Sequence, residues 1–429
     1  MPEDNNNDQG AATLEAVLTA ENLRAAWLKV KANDGAPGVD QMDMEQSARH
    51  LRQHWETIRA KLHQGDYQPG AVRAVKIPKA SGGERQLGIP NITDRLIQQA
   101  IHQILSPVWE PDFSDHSYGF RPGRSAQQAV KAAARYVAEG KTWVVDIDLK
   151  NFFDQVDHDK LMHRLRGKIA DKRLRTLIGA YLRAPMQAAD GSKTKRWKGT
   201  PQGGPLSPLL ANIYLDPLDK ELEKRGLNFV RYADDIAIFA SSQRSAERIY
   251  ESVVQWIEKH LKLEVNRDKS GVGPSESSSL LGFRIQENGS IGVSPKAVAK
   301  LKERVRQLWN ARQSLTSRQL RDQWQRTIRG WWNYFQLAER QREVTNLSGW
   351  IRRHIRKCFW IRWKTPRGRI NALQRLGVRG KGLGLGYTGR GAWATARTPA
   401  LQQALNNRTL AHYGFTLPWE VAAKPGATE

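Results

Sequence analysis

Two carboxylates stand side by side between short apolar runs in RYADDIAIF, residues 231–239. The flanking runs are β-branched and aromatic, which predicts two buried strands, 229–232 and 236–239, joined by a tight hairpin. Adjacent aspartates at the tip of such a hairpin repel each other, and burial makes both charges more costly to hold. A bound cation would relieve this repulsion, and carboxylate and water oxygens are the ligands that Mg²⁺ prefers. For an isolated pair, the alternative is a polar β-turn without a ligand.

A further carboxylate lies in a separate apolar segment, TWVVDIDL, residues 142–149. Its β-branched composition predicts a buried strand, and strand alternation puts Asp146 and Asp148 on one side of it. A strand-end aspartate beside a hairpin aspartate pair is the arrangement of a two-metal phosphoryl-transfer site. In such a site one ion activates an attacking 3′-hydroxyl and the other holds the triphosphate and the leaving pyrophosphate.

The segments around these carboxylates alternate between helical and extended patterns. Leu23, Trp27 and Val30 mark one face of an early helix. Other predicted helices are marked by Leu51, Trp55, Ile58 and Leu62 and by residues 94–108 and 125–138. Short apolar stretches around Gly82 and Gly83 predict a β-hairpin over residues 72–90 with a flexible tip. Helices interleaved with strands predict an α+β core with one sheet.

The last third of the chain carries almost all of the excess positive charge. Residues 291–429 hold 27 Lys+Arg and 6 Asp+Glu, a balance of +21, whereas residues 1–290 hold 41 and 37, a balance of +4. The same basic segment has a helical pattern and contains nine of the fifteen tryptophans. Cations beside aromatic rings are typical of surfaces that neutralise phosphates and stack on bases. This segment is therefore expected to bind nucleic acid.

Two parts of the basic segment have their own predictions. Over residues 350–364 one helical face is apolar, and the opposite face carries the candidate RNA contacts Arg352, Arg353, Arg356 and Lys357. The glycine-rich stretch 377–391 is either a linker or a mobile RNA-contacting loop. The aromatic cluster of Trp331, Trp332 and Tyr334 could stack on nucleotides, but domain-core packing is favoured.

Composition excludes several classes of protein. No apolar run is long enough to span a bilayer. The polar, acidic start MPEDNNNDQGAA resembles neither a signal nor a transit peptide. The single cysteine, Cys358, excludes a disulfide framework and a cysteine-rich zinc site. A cytoplasmic protein without membrane contact is the expectation.

Taken in order, the motifs resemble the reverse transcriptases of bacterial group II introns, which double as splicing maturases. The matching blocks are IPKASGGERQLGIPNITDRLIQQA (77–100), SDHSYGFRPGRSAQQAV (114–130), VVDIDLKNFFDQVDH (144–158), GTPQGGPLSPLLANIYLDPLD (199–219), RYADD (231–235), LKLEVNRDKS (261–270), LLGFRI (280–285), IRGWWNYF (328–335) and ALNNRTLAHYGF (404–415). The resemblance implies an α+β, right-hand polymerase with fingers and palm built on an antiparallel sheet in residues 1–290. It implies an α-helical thumb/maturase domain in residues 291–429.

The resemblance also implies residue roles at the metal site. Asp148 and the Leu149 carbonyl would bind metal, Asp234 would bridge two divalent ions, and Asp235 would complete or orient the site. The ions are expected to be Mg²⁺, with Mn²⁺ as the alternative. Asp146 would be structural.

The expected nucleotide contacts come from four further motifs. Lys79 and Arg85 would neutralise triphosphate oxygens, because an ammonium and a planar guanidinium are complementary phosphate ligands. Phe153 resembles the family's sugar gate, whose ring leaves no room for a ribose 2′-hydroxyl. Gln202 would lie near nucleotide and template, and Lys269 near the primer terminus or triphosphate. His158 has no partner at metal-ligand spacing and is read as structural.

The implied function is RNA-directed DNA polymerisation by a protein that also binds intron RNA, promoting splicing and mobility through target-primed reverse transcription. Its expected partners are intron RNA, an RNA template with a DNA primer, a DNA target site and dNTPs. The chain also resembles the short class that lacks an endonuclease domain, so its primer would come from elsewhere. The alternatives are a free-standing reverse transcriptase recruited to repair or defence, a splicing cofactor only, and an RNA-dependent RNA polymerase.

Overall fold

The computed structural model describes residues 12–78, 84–339 and 342–421. The chain divides into two compact units, the first of residues 1–136 and 141–274 and the second of residues 137–140 and 275–429. The sequence prediction put this boundary after residue 290, whereas residues 275–290 cluster with the second unit here. Among the described helices, none combines the length and apolar character needed to cross a lipid bilayer.

The first unit mixes helices with two four-stranded sheets, rather than the one sheet predicted, because the hairpin of residues 72–89 pairs with strands 186–187 and 193–194 apart from the central strands. Its helices are α1 (Leu14–Val17), α2 (Ala20–Asn33), α3 (Met44–Gln64), α4 (Ile92–Trp109), α5 (Ala126–Ala138), α6 (Phe152–Gln155), α7 (His158–Arg166), α8 (Lys172–Arg183), α9 (Ser207–Lys224) and α10 (Gln243–Trp256). Its strands are β1 (Val72–Pro78), β2 (Glu84–Ile89), β3 (Trp143–Asp148), β4 (Met186–Gln187), β5 (Lys193–Thr194), β6 (Asn228–Tyr232), β7 (Asp235–Ala240) and β8 (Gly271–Pro274). A short 3₁₀ turn (Glu110–Asp112) follows α4, and a π-helical turn (Ile257–Leu261) follows α10.

The central sheet has the strand order β6-β7-β3-β8, and all of its neighbours are antiparallel. The alternating burial of β3 and the almost complete burial of β7 confirm the predicted strands. The hairpin turn is shorter than expected, because Asp235 already pairs with Tyr232 and with Asp148. Only Ala233 and Asp234 form the turn, so Asp235 occupies a fixed position in the ladder.

The second sheet of this unit has the order β2-β1-β4-β5. β1 and β2 form the predicted antiparallel hairpin, with Ile77 opposite Arg85, whereas β4 joins β1 in parallel. The predicted flexible tip with Gly82 and Gly83 lies outside the described residues, as does Lys79.

Helices α4 and α9 are largely buried and supply much of the core of the first unit. Their apolar positions extend around the helix, as expected for helices enclosed by other elements. Tyr214 of α9 is fully buried, and its hydroxyl donates to the Leu261 carbonyl at 2.6 Å. This bond ties α9 to the end of the π-helical turn.

The second unit is mainly helical, as the basic segment predicted. Its helices are α11 (Pro295–Leu308), α12 (Ser317–Phe335), α13 (Arg342–Arg362), α14 (Pro366–Arg375), α15 (Ala392–Thr395), α16 (Pro399–Ala404), α17 (Asn407–His412) and α18 (Pro418–Val421). One antiparallel pair, β9 (Phe283–Ile285) and β10 (Ile291–Val293), precedes them.

Aromatic packing dominates the second unit. The rings of Trp331 and Trp332 lie 5.9 and 5.7 Å from that of Trp419, and the Tyr334 hydroxyl donates to the Leu281 carbonyl at 3.0 Å. The cluster therefore packs within the second unit, although its three side chains are half-buried rather than fully enclosed in the core. Residues 380–387 of the glycine-rich stretch form a 3₁₀ helix against α14, rather than a linker or an open loop. Gly386 is needed there, because a β-carbon would lie 2.5 Å from Ile370.

A fully buried ion pair anchors the central hairpin. Arg231 of β6 and Asp219 of α9 are both 0% exposed, and they make two parallel contacts of 2.7 and 2.5 Å. The same guanidinium donates to Asn212 Oδ1 and to the Ala233 carbonyl, each at 2.9 Å. A buried charge of this kind is tolerable only because its donors are so fully paired.

Replacing Asp219 with alanine should destabilise the first unit strongly. Arg231 would keep a buried charge without its counter-ion, which costs about 3–5 kcal/mol in comparable pairs. Denaturant-induced unfolding followed by circular dichroism would measure the loss. As a control, Arg267→Ala removes an exposed pair with Glu258 and should cost less than about 1 kcal/mol. Equal effects of the two substitutions would contradict the anchoring role.

Candidate catalytic site

Three sequence-predicted carboxylates meet at one end of the central sheet. Asp148 ends β3 and lies directly opposite Asp235, the first residue of β7. Opposed residues of antiparallel strands project to the same face, with Cα atoms about 4.5–5.5 Å apart. Asp146 lies two residues before Asp148 and therefore shares that face. Asp234 follows in the adjoining turn, so residues more than eighty positions apart in sequence reach one place.

The turn that carries Asp234 is held in an unusual conformation. Ala233 has a φ of +59°, in the left-handed region that non-glycine residues rarely adopt. Strain of this kind persists only where the surroundings enforce it. The enforcing contacts come from Arg231, which binds the Ala233 carbonyl, and from Gly119, which packs on the turn. A β-carbon on Gly119 would lie 2.3 Å from the Ala233 nitrogen, so only glycine fits.

The segment around Gly119 runs along the edge of β6. Backbone bonds of 2.8 Å link Tyr118 N–H to the Arg231 carbonyl and Arg231 N–H to the His116 carbonyl. Asn212 donates to the Gly119 carbonyl at 2.8 Å. The SDHSYGFRPGR block thus supports the hairpin turn from outside, a role that sequence reasoning did not assign.

Asp148 is fixed by two residues that sequence reasoning missed. The side-chain amide of Asn266 donates to Asp148 Oδ2 at 3.0 Å, and the Asn266 backbone N–H donates to the Asp148 carbonyl at 2.9 Å. The Ser270 hydroxyl accepts from the Asp148 N–H at 2.9 Å. Both residues lie in the LKLEVNRDKS block, whose polar positions beside Lys269 were the available signal.

The same ladder determines where the Leu149 carbonyl points. Bonds from Asn266 N–H to the Asp148 carbonyl and from Lys150 N–H to the Glu264 carbonyl flank the Leu149–Val265 bridge. Because backbone groups alternate in direction along a strand, the Leu149 carbonyl points away from residues 264–266 and toward the hairpin side.

The carboxylates repel one another electrostatically. Burial, together with repulsion from Asp234, Asp146 and Asp148, raises the pKa of Asp235 to about 6. Burial and the charge of Asp148 raise the pKa of Asp146 to about 6 as well. Burial also raises the pKa of Asp234, while the nearby guanidinium of Arg85 lowers the pKa of both hairpin aspartates. Arg85 therefore faces this site from β2, as its predicted role requires.

The donor set suits hard divalent cations. Carboxylate oxygens and a backbone carbonyl are their preferred ligands, and added positive charge would offset the repulsion that raises these pKa values. Among the described residues, no group of three His, Cys, Asp or Glu side chains is positioned to hold a metal ion. The sheet register nevertheless brings Asp148 opposite Asp235.

The predicted sugar gate, Phe153, lies in α6, five residues after Asp148 in the sequence. Phe153 is half-buried, and its ring meets the fully packed Phe152 edge-on at 5.2 Å. The Phe153 carbonyl accepts from Thr200 N–H at 2.7 Å. Close to that contact, a β-carbon on Gly199 would lie 2.9 Å from the Phe153 carbonyl oxygen. His158 bonds the Gly199 carbonyl at 2.8 Å through Nε2, which agrees with the structural role predicted for it.

Gln202 and Lys269 occupy different settings. The Gln202 carbonyl accepts from Gly88 N–H of β2 at 2.8 Å, so the PQGG loop lies against the strand that carries Arg85. Its side chain is partly exposed. Lys269 is exposed, and its backbone N–H bonds the Asn266 carbonyl at 3.1 Å, within the segment that holds Asp148.

The predicted RNA contacts of α13 are engaged in the fold of the second unit. Arg352 pairs with Glu420, and Arg356 donates to the Leu405 carbonyl at 3.0 Å. Arg353 lies over the Trp393 ring at 3.8 Å and also donates to the Trp393 carbonyl. Lys357 lies 6.0 Å from the same ring.

Comparisons with protein families match both units. Residues 77–285 match the family described as reverse transcriptase (RNA-dependent DNA polymerase), and residues 298–377 match the maturase-specific domain of group II introns. The first match contains the three carboxylates, Arg85, Phe153, Gln202 and Lys269. The α+β fold with an antiparallel sheet and a helical carboxy-terminal part agrees with the predicted class.

Individual known proteins are also similar to this chain. Protein YkfC of Escherichia coli is 34% identical over 299 residues, covering 60% of this chain and 78% of YkfC. The group II intron-encoded protein LtrA of Lactococcus lactis is 43% identical over 171 residues, covering 40% of this chain and 28% of LtrA. A solved partial Cas6-RT-Cas1–Cas2 complex is 27% identical over 57% of this chain and 42% of that chain, with a TM-score of 0.38.

The two family matches and the similarity to YkfC identify the family. Reverse transcriptase domains use divalent metal ions, and group II intron maturases bind intron RNA and copy RNA templates. The chain belongs to the group II intron-encoded reverse transcriptases, a family of RNA-directed DNA polymerases with a maturase-specific domain.

Proposed function

We propose that this protein copies RNA into DNA at the site formed by Asp148, Asp234 and Asp235, with two Mg²⁺ ions and dNTPs as substrates. The supporting observation is the register of the central sheet, which puts Asp148 opposite Asp235 beside the turn that holds Asp234. Bound there, the two ions would activate the primer 3′-hydroxyl and stabilise the charge on the triphosphate. Mn²⁺ fits the same oxygen ligands.

The protein's own residues orient the reaction. Asn266 and Ser270 hold Asp148 in one position, and Arg231 and Gly119 hold the turn of Asp234. Such preorganised ligands need little rearrangement when charge develops in the transition state.

The nucleotide would be held by groups from β2, α6 and two loops. Arg85, with Lys79 beyond the described part of the hairpin, would bind triphosphate oxygens. Phe153 would pack under the deoxyribose. Thr200 holds its backbone and Phe152 contacts its ring, so the side chain has a fixed position there. Gln202 would contact the nucleotide or template, and Lys269 would lie near the primer terminus or triphosphate.

We also propose that the second unit binds intron RNA, which promotes splicing and then mobility at a DNA target site. Its support is the match to the maturase-specific domain together with the +21 charge balance of residues 291–429. RNA helices are recognised largely through phosphates and 2′-hydroxyls, which suits arginines and lysines. The partly exposed α13 cations Arg352, Arg353, Arg356 and Lys357 remain candidates, joined by the exposed Lys296, Lys300 and Arg304 on one face of α11.

Asp234→Asn should abolish primer extension on an RNA template, lowering the rate by about 10²- to 10³-fold or more, since a charged oxygen ligand is lost. Gel analysis of extended primers would measure the rate. The exposed control Asp66→Asn should retain activity. Filter binding of intron RNA should be unchanged in both variants, and full activity of Asp234→Asn would contradict the site.

Phe153→Val should admit ribonucleotides. A smaller side chain leaves space for the 2′-hydroxyl, so the preference for dNTP over rNTP should fall by roughly 10-fold or more, the scale of lost packing discrimination. Single-nucleotide incorporation with each substrate would measure the ratio. Phe153→Tyr, which keeps the ring, should preserve it. An unchanged ratio in the valine variant would remove Phe153 from the sugar gate.

Asn266→Ala should weaken metal binding by roughly 10-fold, the usual cost of losing a partner behind a metal ligand. The Mg²⁺ concentration for half-maximal extension should rise. Mn²⁺ binding, measured by electron paramagnetic resonance in the absence of substrate, should be weaker than in the wild type. The neighbouring exposed change Arg267→Ala serves as the control. If Asn266→Ala slowed extension at every Mg²⁺ concentration with unchanged Mn²⁺ binding, Asn266 would not position Asp148 for metal.

A further inference from the structure

We propose that Trp197 and the basic hairpin before it form a stacking site for single-stranded nucleic acid. The hairpin is the segment 186–198, which contains β4, β5 and the run KTKRWK. This surface contains none of the catalytic carboxylates, and it lies outside the residues matched to the maturase-specific domain, 298–377.

Trp197 exposes an unusual amount of apolar surface. Its side chain is 76% exposed, the highest value for a large apolar side chain in the described part of the chain. Single exposed aromatic residues are common on protein surfaces and by themselves need no explanation. The setting of Trp197 supplies the further evidence.

The residues on both sides of Trp197 are bonded to other parts of the first unit. The Arg196 guanidinium donates to the carbonyl of Ala184, just after α8, at 3.2 Å and to that of Leu182, within α8, at 3.0 Å. Lys198 pairs with Asp157 in an antiparallel bridge. The exposed indole therefore stands on a fixed support, so a planar ligand could stack on it with little loss of chain entropy.

The indole borders a polar cavity of about 410 Å³. Arg183, Lys198 and Lys262 supply cations to its lining, and Gln155, Asp157 and Asp159 supply hydrogen-bonding oxygens. Lys262 is partly neutralised by Asp157 at 3.6 Å. The run KTKRWK, residues 193–198, contains four cations and no acid, and Asp190 is the one acid of the hairpin. Phosphates can follow the exposed lysines while a base stacks on Trp197 and offers its polar edge to the cavity.

These features favour nucleic acid over a protein partner. Lysine is depleted in the cores of protein interfaces, and a protein-binding tryptophan is typically surrounded by a closely packed apolar ring. An aromatic platform beside a cationic groove is the usual arrangement for unpaired strands, because every base has a face that can stack. A duplex would keep its bases stacked on one another and out of reach of Trp197.

The location suggests which unpaired strand is available. Thr200, three residues after Trp197, donates to the carbonyl of Phe153, the predicted sugar gate. Template nucleotides not yet copied are unpaired close to the nucleotide pocket, so a template overhang is one source. An unpaired loop of another RNA is the second source with the same chemistry.

The test uses the full-length protein in EDTA without dNTPs, so that binding is read independently of polymerisation. The probes are DNA primers annealed to RNA templates with overhangs of one or twelve nucleotides. A twelve-nucleotide RNA without primer represents the second source, and both this RNA and the longer overhang carry 5-iodouridine. Affinity is measured by fluorescence anisotropy, and ultraviolet cross-links are mapped by mass spectrometry.

The long overhang should bind more tightly than the short one and cross-link to the peptide containing Trp197. Trp197→Ala should lose roughly tenfold in the affinity gained from the overhang, the scale of one base stack, and Trp197→Phe should retain most of it. Leu28→Ala, which alters an exposed side chain on α2, serves as the matched control. Circular dichroism melting confirms that each variant is folded.

The outcomes distinguish a template overhang from other unpaired RNA, and they also test whether the site exists. If the unprimed RNA cross-links to this site and the primed overhang does not, the site is supported and binds unpaired RNA other than the template. An equal overhang gain in folded Trp197→Ala and wild type, or cross-links that avoid residues 193–198 with every probe, would overturn the proposal. Either result would leave the polymerase site untouched, because no reaction is measured.

Discussion

Repulsion between carboxylates that share one end of a sheet is the constraint on which this structure depends. Asp148 and Asp235 face each other across two strands, with Asp146 and Asp234 beside them, and the pKa values of Asp146 and Asp235 rise to about 6. Such a cluster does not stabilise the folded state by itself. A cluster of this kind is useful to a protein that must bind cations and polyphosphate there.

The surroundings oppose that repulsion with contacts that are individually ordinary. A buried arginine holds the turn through the Ala233 carbonyl, glycine leaves room for the strand edge, and an asparagine occupies one oxygen of Asp148. Each contact comes from a different part of the chain. The catalytic geometry therefore depends on the packing of the whole first unit rather than on the hairpin alone.

Much of this arrangement was predictable from local pattern. β-branched runs identified β3, β6 and β7, and alternation put Asp146 and Asp148 on one face. The shift of Asp235 into the strand was missed, because turn length depends on the ladder with β3. Asn266 could not be found by spacing, since its contact with Asp148 joins residues 118 positions apart. Likewise, helical periodicity identified the cationic face of α13 but not Trp393 and Leu405, which contact it.

The central claim is that the β3 end and the hairpin turn bind the same divalent ions, and iron-mediated cleavage tests it most directly. Fe²⁺ replacing the bound ions, with ascorbate and peroxide, generates hydroxyl radicals that cut the nearby backbone. If both segments bind the same ions, cuts are expected near residue 148 and near residues 234–235 in the same sample, both suppressed by excess Mg²⁺. Cuts at only one of these segments, or cuts that Mg²⁺ does not suppress, would contradict it.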